Sequence, residues 1–554
     1  RWARAKYQPV LPLGEDGRRV TASREHIALS KEAAKEGMVL LKNEGKVLPL
    51  AKGSRIALFG KAGFDYVKGG GGSGDVTVRY IRNLYQGFKE KAETVEVFEE
   101  LAEFYRENVK SQYAQGREPG MTVEPEVPET LVRRARAYTD TAVISICRFS
   151  GEGWDRKSIY DRQGKEDNLA IAGQEEKEEK EDVLFEDGDF YLSHAERAMV
   201  ETVKSSFLKV IVVLNVGGMV DTDWFVRDEK IQAALIAWQG GIEGGLAAAE
   251  LLIGEGNPCG KLTDTFAKCL EDYPSTQGFH KSDDYVEYNE DIYVGYRYFE
   301  TIPGASERVN YPFGFGLSYT QFSLSRPEVE RRGQHIRVRV DVCNVGEVAG
   351  KEVVQVYYSA PQGRLGKPAR ELAAFRKTRL LQPGETQAVI LRFGIDEMAS
   401  YDDLGKVAKS AYVLEKGEYH FYVGTSVRDT VEDDFVMVLD EDVITQQLEA
   451  KMVPTQLERR MLADGQYEEL STGTPVDTDA SIFPAKLTPE EADGMTPVVR
   501  RQDSYHIWGH PDTRQKLIQV AEGEKTLDEF VTALPDEALA VLLGGQPNTG
   551  VANT

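Results

Sequence analysis

Short apolar runs alternate with amphipathic segments along residues 55–320. The apolar runs are rich in β-branched residues, as buried strands are: RIALFG (55–60), AVISICRF (142–149), KVIVVLNVGG (209–218) and IQAALIAWQG (231–240). Three segments between or after them have helical periodicity: EVPETLVRRARAYTD, LSHAERAMVETVKSSF and EGGLAAAELLIG. Strands that are apolar throughout and alternate with helices predict a mostly parallel sheet with helices on both faces. In such a sheet, ligands bind to the loops at the carboxyl ends of the strands.

A different pattern begins near residue 321. Apolar and polar residues there alternate with period two, in HIRVRVDVCNVG, KEVVQVYYSA, ETQAVILRFG and GEYHFYVGTS. This alternation predicts a β-sandwich of immunoglobulin or fibronectin type III size, about 110 residues long. After about residue 440 the pattern weakens, since STGTPVDTDAS is typical of a linker and QLEAKMVPTQLERRML (447–462) predicts short helical pieces. The last 29 residues, from TLDEF onward, predict the start of a further domain.

The composition excludes several classes of function. A chain of 554 residues exceeds one hydrophobic core and predicts about three or four domains. A formal charge of −24 argues against nucleic-acid and anionic-membrane partners. The sequence contains no run of 18 apolar residues, so no membrane span is predicted. The first residues contain no apolar signal-peptide core, so we predict a cytoplasmic protein. The four cysteines and seven histidines are dispersed and form no zinc-binding or serine-hydrolase motif, so we expect neither a metal nor a cofactor.

The segment SGEGWDR directly follows the second apolar strand. It places Glu152 between two glycines and close to Trp154. Because glycines tolerate positive φ and acids prefer water, a surface turn is one interpretation. The other interpretation is a carboxyl group displayed on a loop whose backbone can approach a ligand closely. The residues themselves leave both open.

The segment KGGGGSGDV has the formal spacing GxGxxG at Gly69, Gly71 and Gly74. In a dinucleotide-binding loop the first glycine closes the preceding strand, so that the pyrophosphate rests on the N-terminus of the next helix. Here the preceding strand ends near Gly60, nine positions before the first glycine of the motif. A surface loop, or a loop that lets a sugar approach backbone N–H groups, is therefore favoured over a nucleotide site.

Two further features each admit two interpretations. VDTDWFV places Asp221 and Asp223 after the third apolar strand, where an Asp-Trp pair suits either a nucleophile beside a stacking ring or a polar turn with an apolar anchor. DIYVGYRYFET (291–301) and NYPFGFGLSYTQF (310–322) are dense in aromatic residues. Core or interdomain packing is the commoner use of such clusters, and stacking on sugar rings is the rarer one.

Eight motifs follow one another in a recognisable order: AAKEGMVLLKNEGKVLPL, GGGGSGDV, SGEGWDR, VVLNVGGMVDTDWF, AWQGGIEGG, GNPCGKLTDTF, EDIYVGYRYFE and YPFGFGLSYT. As a series they strongly resemble the second, α/β-sandwich domain of β-glucosidases of glycoside hydrolase family 3. The stretch QVYYSAPQGRLGKPARELAAFRKTRLLQPGETQAV is similar to that family's fibronectin type III-like domain. Because most members begin with a TIM-like barrel, this order resembles the subgroup in which the barrel comes last.

The resemblance implies a division of the chain into four parts. Residues 1–325 form the α/β sandwich domain, and residues 326–440 form the fibronectin type III-like domain. Residues 441–528 are a connecting segment, and residues 529–554 begin an incomplete (β/α)8-type barrel. The expected fold class is therefore α/β plus all-β.

The resemblance also implies site residues. The family hydrolyses β-glycosides with retention, using a nucleophile and an acid/base carboxyl group about 5–5.5 Å apart. Glu152 matches the acid/base. The residues that match the rim of the sugar site are Lys68, Gly71, Gly72, Ser73, Asp75 and Trp154. The nucleophile is a barrel Asp, expected beyond Thr554, and Asp223 is interpreted as a decoy because its Asp-Trp pair lies inside the α/β domain.

We therefore expect a retaining β-glucosidase that releases terminal β-D-glucosyl residues from oligosaccharides or glycosides. Its acid/base lies on this chain, and its barrel lies on a downstream segment or a separate chain. Two alternatives stay open: a catalytically incomplete sugar-binding or scaffold fragment, and a nucleotide-dependent α/β enzyme. Besides substrate and barrel, a homo-oligomer is compatible with the sequence, and neither nucleic acid nor membrane is an expected partner.

Overall fold

The structure is a computed structural model. It describes residues 22–71, 76, 78–151, 156, 184–279, 286–449, 457–470, 519–520 and 522–534. The chain divides into two compact units. The larger unit comprises residues 28–71 and 78–474, and the smaller comprises residues 1–27, 72–77 and 475–554. The larger unit contains an α/β domain followed by a β-sandwich.

A six-stranded sheet forms the centre of the α/β domain. Its strands are β1 (Val39–Asn43), β2 (Ser54–Phe59), β3 (Val95–Val97), β4 (Thr141–Arg148), β5 (Lys209–Val216) and β6 (Ala233–Ile236). The spatial order is β1-β6-β5-β4-β2-β3, in which β2 to β6 run parallel and β1 pairs antiparallel with β6. All but the first residue of β4 and of β5 are buried, as in strands that are covered on both faces. The predicted, mostly parallel sheet is confirmed.

Helices precede, connect and follow these strands. They are α1 (Arg24–Gly37), α2 (Leu84–Glu90), α3 (Glu99–Ala114), α4 (Glu129–Tyr138), α5 (His194–Ser206), α6 (Asp223–Val226), α7 (Gly244–Leu252), α8 (Thr276–Phe279) and α9 (Tyr296–Phe299). A capping box starts α5, because the side chains of Ser193 and Glu196 each accept a hydrogen bond from the other residue's backbone N–H. The apolar face of α5 joins the core of the sheet through Met199, Val200 and Val203.

A short two-stranded connection leads to the β-sandwich. The connection pairs β7 (Phe266–Ala267) with β8 (Val309–Tyr311). The sandwich strands are β9 (Phe322–Leu324), β10 (Glu328–Arg332), β11 (His335–Asn344), β12 (Val353–Ser359), β13 (Glu371–Lys377), β14 (Thr386–Gly394), β15 (Ser400–Asp402), β16 (Ala411–Leu414), β17 (Gly417–Gly424), β18 (Thr430–Leu439) and β19 (Val443–Gln447). They form one sheet of β10-β11-β14 with β9 beside β11, a second of β13-β12-β17-β18, and a small third of β15-β16-β19.

The alternation that predicted the sandwich is visible in β11. Every second residue of this strand is buried, and its valines share one core with Val356 of β12 and Phe421 of β17. The two larger sheets therefore face each other across a single apolar layer, as in a fibronectin type III-like fold. The strand β19 belongs to the sandwich region although it lies past residue 440, where the sequence analysis starts a connecting segment.

Charged side chains join α1 to the sandwich. The Lys377 Nζ donates to Glu36 Oε2 at 2.8 Å and to the Glu36 carbonyl oxygen at 2.9 Å. Lys351 donates to the other carboxylate oxygen of Glu36. Although burial opposes its ionisation, these two lysines lower the pKa of Glu36 to about 2. Glu36 is therefore ionised at neutral pH and anchors the two domains to each other.

Aromatic side chains complete this contact between domains. The ring of Tyr296 lies 4.5 Å from that of Phe313, and its hydroxyl accepts a hydrogen bond from the Leu372 N–H at 3.0 Å. The Tyr357 ring of the sandwich packs edge-on to Tyr296 at 6.3 Å. Interdomain packing, the commoner interpretation of the aromatic segments, is confirmed at these residues.

One secondary-structure prediction is wrong at the described end of its segment. The sequence 447–462 was expected to form helical pieces, but its described end forms a hairpin of β20 (Arg459–Met461) and β21 (Tyr467–Glu469). Arg460 donates to Glu468 at 2.9 Å and to Asp403 at 3.0 Å, and Met461 packs against the aromatic cluster of the connection. These tertiary contacts override the helical propensity of the segment.

In the smaller unit, the helix α10 (Leu527–Thr532) begins with a capping box of Thr526 and Glu529. Residues 529–554 are predicted to begin a barrel, and most of them lie outside the described residues. The described residues contain no closed barrel.

All four cysteines are free thiols. No helix in the described part of the chain is both long and apolar enough to cross a membrane. Within that part, no three His, Cys, Asp or Glu residues are grouped to bind a metal ion.

We predict that Glu36→Gln lowers the free energy of unfolding by about 1–3 kcal/mol at pH 7, because two charge-assisted hydrogen bonds lose their anion. The folded-state pKa of Glu36 is depressed, so the stabilisation is complete above pH 4.5 and disappears as pH falls towards 2. Thermal unfolding of both proteins between pH 7 and pH 2 checks this. Glu32→Gln is the matched control on the same helix, since Glu32 is largely exposed and, in the described part of the chain, pairs with Lys35 alone. A stability difference for Glu36→Gln that does not change with pH would contradict the role of its charge.

Candidate active site

The candidate site lies at the carboxyl edge of the six-stranded sheet. The chain passes from β2 outward to β3 and then returns to β4 on the other side of β2. The loops after β2 and β4 therefore leave adjacent strands in a doubly wound sheet at the point where the strand order reverses, which is where such sheets bind ligands. The loop after β2 contains Lys68 and Gly71, and the loop after β4 leads to Glu152.

These two loops touch through backbone. A Cβ atom placed on Gly151 would lie 1.9 Å from the Gly71 nitrogen and 2.6 Å from the Gly71 Cα. On the other loop, a Cβ atom on Gly70 would lie 3.2 Å from the Ser150 carbonyl oxygen. The contact leaves no room for a side chain on Gly151, so the glycine just before Glu152 is required by this close approach. The two segments that the sequence analysis singled out separately are thus brought together.

The loop after β2 is fixed at both ends by buried polar groups. At its start, Asn215 of β5 accepts from the Val67 N–H at 2.8 Å and donates to the Val67 carbonyl oxygen at 2.9 Å. The next residue, Lys68, accepts a hydrogen bond at its carbonyl oxygen from the Gly241 N–H at 2.8 Å. Because a strand of the core holds residue 67 in this way, the half-buried residues 68–71 start from a fixed position.

The returning end of the same loop is held by Glu243, a buried carboxylate. Arg82 donates to both Glu243 oxygens, at 3.0 and 2.9 Å, and the Tyr80 hydroxyl donates to one of them at 2.5 Å. The Arg82 N–H also donates to the Ile242 carbonyl oxygen at 2.8 Å. Both ends of the glycine-rich loop therefore attach to the segment that follows β6.

The loop that contains Glu152 leaves β4 beside a buried ion pair. Arg148, the last residue of β4, donates to both carboxylate oxygens of Glu196 at 2.9 and 2.7 Å. Burial opposes the ionisation of Glu196, but the neighbouring Arg148 lowers the pKa of its carboxyl group. The remaining donors of Arg148 bind the carbonyl oxygens of Cys147, Asp189 and Tyr191. A fully bonded ion pair thus fixes the point at which the loop begins.

Arg156 fixes the chain four residues after Glu152. Its guanidinium Nε lies 3.1 Å from both carboxylate oxygens of Asp189, and it also donates to the carbonyl oxygens of Asp189 and Met219. Asp189 is itself buried. The positive charge of Arg156 is therefore compensated by a buried carboxylate.

A cavity of about 310 Å³ lies beside Arg156. Its walls include Asp189, Phe190, Met219, Tyr273 and Phe279. Apart from the Arg156–Asp189 pair these side chains are mostly apolar, so the cavity can hold an apolar or aromatic group.

Beneath the loop after β2 lies a second buried polar network. Glu124 accepts hydrogen bonds from the Lys61 backbone N–H and from the Tyr105 hydroxyl, each at 2.8 Å. Burial raises the pKa of Glu124 to about 7. The Lys61 Nζ donates to the Gly120 carbonyl oxygen at 3.0 Å and lies 3.5 Å from an Asp65 oxygen. This network fixes the turn between β2 and the glycine-rich segment.

The structure places only part of the predicted rim. Lys68 and Gly71 lie in the loop just described, whereas Glu152, Gly72, Ser73, Asp75 and Trp154 lie outside the described residues. Glu152 is the residue that follows Gly151, so its position along the chain is bounded by two described anchors, Gly151 and Arg156. The roles of Glu152 and of the other four residues in the site stay predictions.

Asp223 occupies a different place, at the start of the one-turn helix α6. It is exposed, and its Oδ1 lies 3.4 Å from the Asn310 side-chain amide. Its neighbour Asp221 accepts a hydrogen bond from the Asp223 N–H, and burial raises the pKa of Asp221 to about 6. Trp224 donates to the Asp221 carbonyl oxygen and packs against the core. The interpretation of Asp223 as a decoy stays a prediction.

Sequence reasoning missed Asn215 and Glu243, which hold the glycine-rich loop. Asn215 is a polar residue inside the apolar run KVIVVLNVGG, and a polar residue in a buried strand must be hydrogen-bonded. Glu243 lies in AWQGGIEGG, where a single acid stands among small and apolar residues. These were the available signals, but neither names the loop that each residue binds.

The nucleotide alternative requires a helix N-terminus directed at the glycine-rich loop. The next helix, α2, begins at Leu84, ten residues after Gly74. Its first turn is already capped, because Asn83 accepts from the Gln86 N–H and Gln86 accepts from the Asn83 N–H. Among the described residues, the helix that follows the loop therefore offers no uncapped N-terminus for a pyrophosphate.

Comparison with known proteins agrees with this arrangement. The model of the glycosyl hydrolase family 3 C-terminal domain matches residues 38–319, and that of the fibronectin type III-like domain matches residues 352–427. Beta-glucosidase A of Butyrivibrio fibrisolvens is 56% identical over 576 aligned residues, which cover 100% of this chain and 69% of that protein. A beta-glucosidase of Ruminococcus albus is 36% identical over 94% of this chain and 50% of its own length.

Solved structures give the same result. The beta-glucosidase of Paenibacillus barengoltzii superposes with a TM-score of 0.73 at 35% identity, over 94% of this chain and 54% of that one. Beta-glucosidase 3B of Thermotoga neapolitana, solved in complex with glucose, has a TM-score of 0.63 at 37% identity, over 76% of this chain and 55% of that one. The chain thus spans 69% of the Butyrivibrio protein and about half of the other relatives. The resemblance seen in the sequence is confirmed, and the chain belongs to glycoside hydrolase family 3.

Proposed function

We propose that this chain is part of a retaining β-glucosidase and that Glu152 is its general acid/base. The observation that carries the proposal is the contact of Gly71 with Gly151, which brings the glycine-rich loop to the residue before Glu152 at the carboxyl edge of the sheet. Membership of family 3 and the two β-glucosidase relatives support the activity. The Thermotoga relative, solved with glucose, supports a glucosyl residue as the sugar.

The proposed chemistry uses two carboxyl groups on opposite sides of the glycosidic bond. Glu152 protonates the leaving oxygen while an Asp attacks the anomeric carbon, and Glu152 then removes a proton from the water that releases the sugar. A general acid must be protonated when the substrate binds, and a nearby cation would oppose this. The pairing of Arg148 with Glu196 and of Arg156 with Asp189 supports the assignment, because these pairings compensate the two cations nearest to Glu152 along the chain.

We further propose that the nucleophile is an Asp of a barrel domain, as the family resemblance implies. The described residues contain no closed barrel, and Asp223 belongs to a short helix of the α/β domain. The comparisons support neither a separate catalytic chain nor an oligomer, and they give no support to a catalytically incomplete scaffold. A cytoplasmic location stays a prediction.

The proposal is tested by hydrolysis of 4-nitrophenyl β-D-glucoside, measured with this chain alone and with a family 3 barrel domain added. We expect hydrolysis when the barrel is present. No hydrolysis under either condition would contradict the proposed function. Hydrolysis by the chain alone would contradict the placement of the nucleophile, and Asp223 would then be the first candidate.

We predict that Glu152→Gln lowers kcat for cellobiose by about 10²–10⁴-fold, because an alkoxide leaving group needs protonation. The glycosylation step with 2,4-dinitrophenyl β-D-glucoside should lose far less, because that leaving group departs without a proton. Steady-state and burst kinetics on both substrates check this. In Glu152→Ala, azide should restore turnover of 2,4-dinitrophenyl β-D-glucoside, because azide attacks the glycosyl-enzyme in place of activated water.

The matched control for Glu152 is Glu129→Gln. Glu129 is an exposed residue of α4 whose ion pair among the described residues is with Arg133, so kinetics on both substrates should stay at the wild-type level. Equal large losses on both substrates in Glu152→Gln, together with no azide rescue of Glu152→Ala, would contradict the acid/base assignment.

We predict that Gly151→Ala lowers kcat/KM for 4-nitrophenyl β-D-glucoside by at least about tenfold, because displacement of a catalytic group by an ångström misaligns it. The added methyl group would lie 1.9 Å from a backbone nitrogen, so the two loops must separate. Kinetics and thermal unfolding check this, with Gly37→Ala as the control, since a Cβ there meets nothing within 4 Å. Unchanged kinetics in Gly151→Ala would show that the loop contact does not position the site.

We predict that Asp223→Asn keeps kcat within about threefold of wild type, because a residue outside the chemistry removes no transition-state contact. The Asn310 amide can still bond the new side chain, so the fold should be unaffected. The same glucoside assay with a thermal-unfolding check measures this. A loss of several orders of magnitude in a folded variant would make Asp223 the nucleophile.

A further inference from the structure

Gln239 lies on the same edge of the sheet as the candidate site, and its side chain takes no part in the contacts described above. It is the third residue after β6, which ends at Ile236. The adjacent strand β5 is followed by Gly217, and β4 is followed by Ser150, two residues before Glu152. The carboxyl ends of three neighbouring strands thus bring Gln239, Gly217 and Ser150 together.

The two polar side chains meet over Gly217. A Cβ atom on Gly217 would lie 2.3 Å from the Ser150 Oγ and 2.8 Å from the Gln239 Nε2. A glycine is required here because any larger residue would displace one of these groups. The absence of a side chain at Gly217 therefore lets these two polar groups come together beside the loop that leads to Glu152.

The Gln239 amide nitrogen, Nε2, is buried and has no hydrogen-bond acceptor among the described residues. The neighbouring amide of Asn215, in contrast, donates to the Val67 and Trp238 carbonyl oxygens and accepts from the Val67 N–H. A buried donor without an acceptor costs free energy, and such groups in folded proteins call for an explanation such as a ligand.

The backbone just before Gln239 is strained and firmly held. Trp238 has a φ of +52°, in the left-handed region that bulky residues rarely adopt. Its carbonyl oxygen accepts from Asn215 at 2.6 Å, and its indole N–H donates to the Gly37 carbonyl oxygen at 3.0 Å. Strain that the surrounding structure enforces is concentrated at functional sites. Here it fixes the direction in which the Gln239 side chain leaves the backbone.

We propose that the Gln239 amide, with the Ser150 hydroxyl beside it, hydrogen-bonds a hydroxyl group of the bound β-glucoside. This inference rests on the proposed function and extends it by naming a substrate-binding residue. A sugar hydroxyl is the matching chemistry, because its oxygen accepts from the amide N–H while its hydrogen can be donated to the serine oxygen. A neutral amide also binds a hydroxyl without adding a charge next to a general acid.

The test removes one partner of the contact at a time, first the Gln239 amide and then the substrate hydroxyl. Gln239→Leu should lower kcat/KM for 4-nitrophenyl β-D-glucoside by about 10–100-fold, the effect of one substrate hydrogen bond. Its melting temperature should stay equal or rise, because an unpaired buried donor is removed. Gln239→Glu keeps the shape but loses the donors, and it should show a similar kinetic loss. All assays contain the barrel domain, and wild type is measured in parallel.

Deoxygenated substrates then identify the bound hydroxyl. With wild type, one of the 2-, 3-, 4- and 6-deoxy analogues should be hydrolysed more slowly than the parent glucoside. With Gln239→Leu, that analogue and the parent glucoside should be hydrolysed at the same rate, because the contact is already lost. Gln115→Leu, on an exposed residue at the end of α3, should behave as wild type on every substrate. A structural role for Gln239 would instead lower the melting temperature and affect all analogues in proportion.

The possible outcomes separate the two proposals. Non-additivity at one hydroxyl supports Gln239 as a substrate-binding residue. An active wild type with Gln239→Leu within twofold of it, or with equal losses on all analogues, overturns this inference alone. An inactive wild type contradicts the proposed function and the inference with it.

Discussion

The candidate site depends on one close contact between two stretches of backbone. Gly71 and Gly151 approach so closely that a side chain at residue 151 would force the two loops apart. This contact is available only because β2 and β4 are neighbours at the point where the strand order reverses, so that their loops leave the sheet side by side. The position of the residue that follows Gly151 is thereby tied to the sheet.

Buried polar groups convert this contact into a rigid frame. Arg148 with Glu196, and Arg156 with Asp189, hold the chain on either side of Glu152. Asn215 performs the same task for the glycine-rich loop. Burying ions costs free energy unless every donor and acceptor is paired, and the pairing of Arg148 is complete. Residues placed on core strands position the loops, and the loops are left free to meet a ligand.

Much of this architecture could be predicted from the sequence. The apolar runs located β2, β4, β5 and β6, and period-two alternation located the sandwich, because burial on two faces or on one leaves these patterns. The run 231–240 was predicted too long, since the strand ends at Ile236. The positive φ of Trp238 lies beyond that end and leaves no mark in an apolar pattern.

The supporting contacts of the site could not be predicted in the same way. Gly71 and Gly151 are far apart in sequence, and nothing in a glycine reveals its tertiary neighbour. The hairpin of β20 and β21 was missed because Arg460 pairs with Glu468 on the opposite strand and with the distant Asp403, and local propensity indicates neither contact. Glu152 itself was identified by resemblance, and the frame around it came only from the structure.

We expect the glucosyl unit to bind against this edge of the sheet, with Glu152 at its glycosidic oxygen. A crystal structure of the chain with its barrel domain and D-glucose would show this binding mode. We predict that the anomeric hydroxyl lies within about 2.6–3.2 Å of the Glu152 carboxyl group, the reach of a general acid. Glucose bound beside Asp223, or away from residues 68–71 and 150–152, would contradict it.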